Sequence, residues 1–131
     1  MESVTPIVVM SPLAGPVLES MMARGTDFSY LTGIQEYMRA LPFETYNFTE
    51  SKYLGADDCE FVDGFHGGEV VYQRIIASII VQNPNSALVP HVNTGALLRS
   101  IRKSSGHVLT TKSATEYTLA ETDFLQIGCQ K

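Results

Sequence analysis

The chain has no tryptophan, only two cysteines, and fewer basic than acidic residues: nine Lys plus Arg against fourteen Asp plus Glu in 131 residues, a formal net charge of −5. Each shortage argues against a class of function. Phosphate binding needs concentrated positive charge, so a general nucleic-acid role is disfavoured. The one basic cluster, Arg99, Arg102 and Lys103, reads as the solvated face of a helix. Cys59 and Cys129 stand far apart without metal-ligand spacing. They can pair, but two isolated thiols suit a reducing compartment at least as well. No run approaches the about 18 apolar residues of a membrane span. The opening Met1-Glu2-Ser3-Val4 lacks the basic and apolar regions of a signal peptide. The expectation is a soluble cytoplasmic protein with no membrane span.

What is present is 44% hydrophobic residues, enough for one domain with a modest core. Pro6-Ile7-Val8-Val9-Met10 is a continuous apolar run stopped by Ser11-Pro12, which suits a strand buried on both faces of a parallel sheet. Val17, Leu18, Met21 and Met22 then recur at helical spacing, and Gly25 interrupts them. Asp27 is a candidate cap for a second helix carrying Tyr30, Leu31, Ile34, Tyr37, Met38 and Leu41 on one side, a stripe expected to pack in the core. Pro42 stops that helix, and residues 43–48 read as a second short strand.

Residues 49–58 read as a polar loop, and 69–82 as the clearest helix, with Val70, Val71, Ile75, Ile76, Ile79 and Ile80 on a wide apolar face. Beyond Pro90 a short helix capped by Asn93 or Thr94 is expected, holding Leu97, Leu98 and Ile101 and stopped by Ser104-Ser105-Gly106. The tail alternates weakly around Val108-Leu109 and Tyr117-Thr118-Leu119, suggesting a strand or hairpin. The order of elements is that of an α/β protein, divided as an α/β segment over residues 1–90 and a C-terminal extension over 91–131 packed on the same domain.

Between the polar loop and the clearest helix lies Phe61-Val62-Asp63-Gly64-Phe65-His66-Gly67-Gly68-Glu69. An Asp and a His three residues apart in a glycine-bordered turn can hold imidazole against carboxylate, which is how a general base is built. Asp63 would fix the ring tautomer of His66 and stabilise its protonated form. Glu69, in the first turn of the helix, suits the helix dipole and nothing more. The plainer reading has Asp63 capping a turn and His66 filling space. A cation site from Asp57, Asp58, Glu60, Asp63, His66 and His91 is a third idea, since hard cations favour carboxylates, but the spacing follows no metal-binding loop.

The stretch over residues 6–84 resembles the C-terminal half of an SGNH (GDSL-type) hydrolase, a family of esterases, lipases and acyl-transferring relatives. Its last block, Asp-x-x-His before a final helix, is matched by Asp63-Gly64-Phe65-His66. The strand ending in Ser11-Pro12 and the loop from Asn47-Phe48-Thr49 to Leu54-Gly55 are also similar. The resemblance implies a partial three-layer, flavodoxin-like sheet with flanking helices and a divergent C-terminal tail. It implies catalytic roles for His66 as general base and Asp63 as its orienting partner, with small acyl or acetyl esters as substrates and no cofactor or metal.

The family's nucleophile block, Gly-Asp-Ser, is missing, as are the later blocks that supply a Gly and an Asn to the oxyanion hole. Ser11 reads as part of a structural turn. Cys59, among acidic residues, is a poor thiolate. The expectation is a remnant or split domain carrying an Asp-x-x-His pair without its own nucleophile. One alternative is an ester hydrolase or acyl transferase completed by another chain; the other is a non-catalytic oligomerising or partner-binding module. In each case a homodimer or partner chain is expected to cover the open sheet.

Overall fold

The computed structural model describes residues 4–111 and 122–129. Within them the chain is a small mixed α/β protein with four helices and a two-stranded parallel sheet. β1 (Ile7–Met10) and β2 (Glu44–Asn47) pair from Ile7↔Glu44 to Met10↔Asn47. Parallel partners need a long crossover, supplied here by α1 (Gly15–Met22) and α2 (Tyr30–Arg39). The pairing continues loosely beyond the strands: Phe48 N–H donates to Met10 O at 3.1 Å and Leu13 N–H to Thr49 O at 3.1 Å.

Pro16 sits in the first turn of α1, where its missing N–H costs nothing. Gly25, at φ +65, begins a 3₁₀ turn over Gly25–Phe28 between the two helices. Asp27 lies inside that turn and caps nothing; Ser29 precedes α2 without a side-chain cap bond. The apolar stripe of α2 also divides. Leu31 and Met38 are buried, but Tyr30, Tyr37 and Leu41 face solvent, so the tyrosines are not core.

α3 (Glu69–Gln82) begins and ends where its periodicity predicts, with Val70, Val71, Ile75 and Ile79 buried. Together with Ala14, Phe48, Leu54 and Phe61, the last three of these form the main core, against which Ile7, Val9, Val17 and Tyr46 pack. Tyr46 and Phe48, two residues apart along one face, stack with ring centroids 6.0 Å apart. The C-terminal end of α3 is tied back to β2 through Glu44, whose carboxylate accepts from Ala87 N–H at 3.0 Å and from the Tyr46 hydroxyl at 3.0 Å.

α4 (Thr94–Ser104) packs on α3 and is capped by Asn93, whose Oδ1 accepts from Ala96 N–H at 3.0 Å. Arg99, Arg102 and Lys103 are exposed on it, as a solvated face requires. Val108 and Leu109 form no strand; Val108 is buried and its carbonyl accepts from Val70 N–H at 3.4 Å. Tyr117–Leu119 lie outside the described residues. No helix among the described residues is long and apolar enough to cross a membrane.

Candidate functional site

The Asp-His turn is a closed loop over residues 60–68. Gly68 N–H donates to Glu60 O at 2.9 Å, Val62 N–H donates to His66 O at 2.8 Å, and Phe61 bridges Gly67 antiparallel. The reversal inside needs a left-handed residue, and Gly64 supplies it at φ +87. Its carbonyl accepts from Ala14 N–H at 2.9 Å. Beside it, Asp58 Oδ1 accepts from Gly15 N–H at 2.7 Å, satisfying a donor at the start of α1. The turn is thereby anchored to the segment that follows β1, on the carboxyl side of the parallel strands, where open α/β sheets commonly bind ligands.

Asp63 and His66 are brought together as their spacing suggests. Asp63 Oδ2 lies 2.7 Å from His66 Nδ1, while Oδ1 accepts from the backbone N–H of Phe65 at 3.0 Å and of His66 at 2.8 Å. Desolvation pushes the Asp63 carboxyl up, but the His66 ring bond and the two backbone bonds outweigh it and hold the group below its ordinary value. An ionised carboxylate only accepts, so Nδ1 must carry the proton, and in the neutral ring Nε2 is the basic atom. The His66 side chain is 75% exposed, against 31% for Asp63. Among the described residues, His66 hydrogen-bonds to no serine, threonine or cysteine side chain.

Cys59 is no candidate nucleophile: it forms a disulfide with Cys129, with Cα atoms 5.5 Å apart. That pairing decides between the two alternatives the sequence left open; contact between the ends of a 70-residue separation is invisible to spacing. Ser11 is exposed after β1 and Pro12 behind it is buried.

The acidic residues around the turn are distributed among separate donors. Asp57 accepts from Cys59 N–H and Asp58 from Gly15 N–H, while Glu60 pairs with Arg74 and Asp63 with His66. His91 lies in a 3₁₀ turn between α3 and α4. Among the described residues no three His, Cys, Asp or Glu side chains cluster as metal ligands. Glu69 does more than face the helix dipole. Its Oε2 accepts from Thr110 Oγ1 at 2.6 Å and Thr110 N–H at 2.9 Å, and these bonds hold its carboxyl below the ordinary value.

Sequence reasoning missed the support behind the turn. Glu60 is fully buried and takes a two-bond contact from Arg74, Nε to Oε2 and Nη2 to Oε1 at 2.8 Å each. Glu60 Oε1 also accepts from Gly106 N–H at 3.0 Å, and Arg74 Nη2 donates to Ser105 Oγ at 3.0 Å. A signal was present: Arg74 is the sole cation of α3, and Glu60 directly precedes the apolar pair Phe61-Val62.

An open groove of about 790 Å³ lies elsewhere on the surface of the described residues. Leu18, Met22, Leu31, Phe48, Asn47 and Thr49 line it, and neither Asp63 nor His66 does. One of its lining residues, Gly15, follows Ala14, whose N–H donates to Gly64 O in the turn. Compared with protein-family models, curated proteins and solved structures, the chain matches none of them significantly.

Proposed function

We propose that this chain is the base-bearing part of an SGNH-like α/β domain, with Asp63 and His66 as an acid/base pair that lacks a nucleophile of its own. The observation that carries the reading is the Asp63–His66 contact at 2.7 Å, with the other carboxylate oxygen held by two backbone N–H groups. That arrangement aligns the imidazole, leaves Nε2 toward solvent, and gives an incoming hydroxyl a place to deliver its proton. The two-stranded parallel sheet belongs, in this reading, to a larger three-layer flavodoxin-like sheet. The strand edges left unpaired among the described residues are covered by a second copy or another chain. Small acyl esters are the substrate class. The disulfide favours an oxidising compartment over the cytoplasm expected from cysteine count.

A non-catalytic role in oligomerisation or partner binding is the second reading, favoured by the exposure of His66 and by its making no hydrogen bond to a hydroxyl or thiol among the described residues. Hydrolysis of p-nitrophenyl acetate separates the two. The split-domain reading expects the isolated chain to show only the slow, non-saturable background of a surface imidazole. It further expects a fluorophosphonate probe to label a serine of a co-purifying chain, and that labelling to disappear in His66→Ala. Saturable turnover by the isolated chain, lost in His66→Ala, would mean a nucleophile within it and refute the split-domain reading. If no partner serine is labelled and turnover stays at background, the non-catalytic reading holds.

A further inference from the structure

Residues 122–129 form a compact knot beside the Asp-His turn. Asp123 closes it, with Oδ1 accepting from Ile127 N–H at 3.1 Å and Oδ2 from Gly128 N–H at 2.9 Å. Two of its contacts with the body of the protein bear directly on the turn. Cys129 is covalently bound to Cys59, in the 3₁₀ turn Asp58–Glu60 that leads into Asp63. Leu125 reaches the main core, and its side chain lies against Gly64: a Cβ built on that glycine would sit 3.2 Å from Leu125 Cδ2 and 2.5 Å from Val17 Cγ2. Gly64 is thus clamped between α1 and the tail, at the residue that sets the reversal between Asp63 and His66.

We propose that residues 122–129 are a redox-latched strap: the Cys59–Cys129 disulfide holds Leu125 on Gly64, and reduction releases it, loosening the Asp63–His66 turn. The inference concerns the mobility of the turn and stands whether or not the pair is catalytic. Reduction by a dithiol proceeds by thiolate attack on one sulfur and closure of the mixed disulfide by the second thiol. Two electrons and two protons pass to Cys59 and Cys129, and the reagent leaves as its cyclic disulfide. Without the covalent link, Leu125 is held by non-covalent contacts, and local opening competes with them.

The Ala14 amide is a reporter on a different segment, because it donates to Gly64 O, and the His66 amide reports the turn itself. Hydrogen exchange is measured on the oxidised chain, on the chain in dithiothreitol, and on oxidised Leu125→Ala. The rates at Ala14 and His66 are taken relative to those at Ile75 and Ile79 in α3. Taking this ratio removes the change in global stability that any disulfide brings. The expected result is a rise of at least about tenfold in the ratio on reduction, and a rise in the same direction in Leu125→Ala with the disulfide intact. A ratio unchanged on reduction would make the disulfide a general staple and overturn the strap. A rise on reduction without any in Leu125→Ala would also overturn it, since the latch would then not act through Leu125.

Discussion

Arg74→Met removes the cation that faces the one fully buried carboxylate among the described acidic residues, and the consequences can be worked from the geometry. Glu60 is 0% exposed and would keep its Gly106 N–H bond while losing both guanidinium bonds. An unpaired buried charge of this kind costs about 3–5 kcal/mol. At a urea dependence of about 1–3 kcal/mol/M, that is a midpoint lowered by roughly 2 M.

The reverse change, Glu60→Leu, should cost less. The Arg74 side chain is already 15% exposed and can carry its charge outward along its own stem. The double variant Glu60→Leu/Arg74→Met removes both charges and strands only the Gly106 N–H, about 1–3 kcal/mol. It should therefore be more stable than Arg74→Met alone. Urea unfolding of the three variants, all with the disulfide intact, gives the cycle directly. A loss below about 1 kcal/mol in Arg74→Met, or a double variant as unstable as the two singles combined, would refute the claim that Glu60 depends on Arg74.

Gly68→Ala should destabilise by about 3 kcal/mol or more, because its Cβ would meet two backbone oxygens, Val108 O at 2.3 Å and Glu60 O at 2.8 Å. Gly25→Ala is the control: its φ is +65 but nothing lies within 4 Å, so urea unfolding should show only the left-handed cost of about 1–2 kcal/mol. Asn93→Ala removes the cap bond to Ala96 and should cost about 1 kcal/mol, with amide exchange speeding first at the start of α4. The carboxyls of Glu44, Asp63 and Glu69 are all held below their ordinary values of 4.5, 3.8 and 4.5. Each therefore contributes stability that is complete above its unfolded pKa and is lost as pH falls through its lower folded pKa. The urea midpoint should decline below about pH 4.5, starting near the unfolded pKa values, and Glu69→Gln should flatten that decline; an identical acid profile in the variant would refute its share.

The elements that were legible in the sequence are those with a repeating apolar pattern or a proline at their boundary. α3 was legible because Val71, Ile75 and Ile79 repeat on one buried face, and the positions of β1 and β2 because a proline bounds each run on at least one side. β1 is not buried on both faces as its apolar run suggested, since in a two-stranded sheet all four of its residues stay partly exposed. α2 misled because aromatic residues at helical spacing look the same whether a neighbour covers them or not, and here nothing among the described residues covers Tyr37, which is 78% exposed. The Asp63–His66 contact was legible because it is local, three residues in a turn. The disulfide, Glu60–Arg74 and Glu69–Thr110 were not, because each is made between segments whose proximity only the folded chain creates.

This locality explains why the acidic stretch from Asp57 to Glu69 reads so differently before and after folding. In sequence it is a concentration of like charge, as suitable for a cation as for solvent. Folded, Asp58 anchors α1, Glu60 anchors α3 and the segment after α4, Asp63 anchors the turn, and Glu69 anchors Thr110. Glu60 has its oxygens taken by Arg74 and Gly106, and Asp63 by His66 and two backbone N–H groups, so both carboxylates are already engaged within the protein. The same division makes the orientation of His66 conditional on the turn: Asp63 can face the imidazole only while its other oxygen holds the Phe65 and His66 amides, and those amides are in place only while Gly64 keeps its left-handed backbone. The orientation of the imidazole therefore depends on Gly64, the residue bonded to Asp63, whose left-handed backbone brings both amides to the carboxylate.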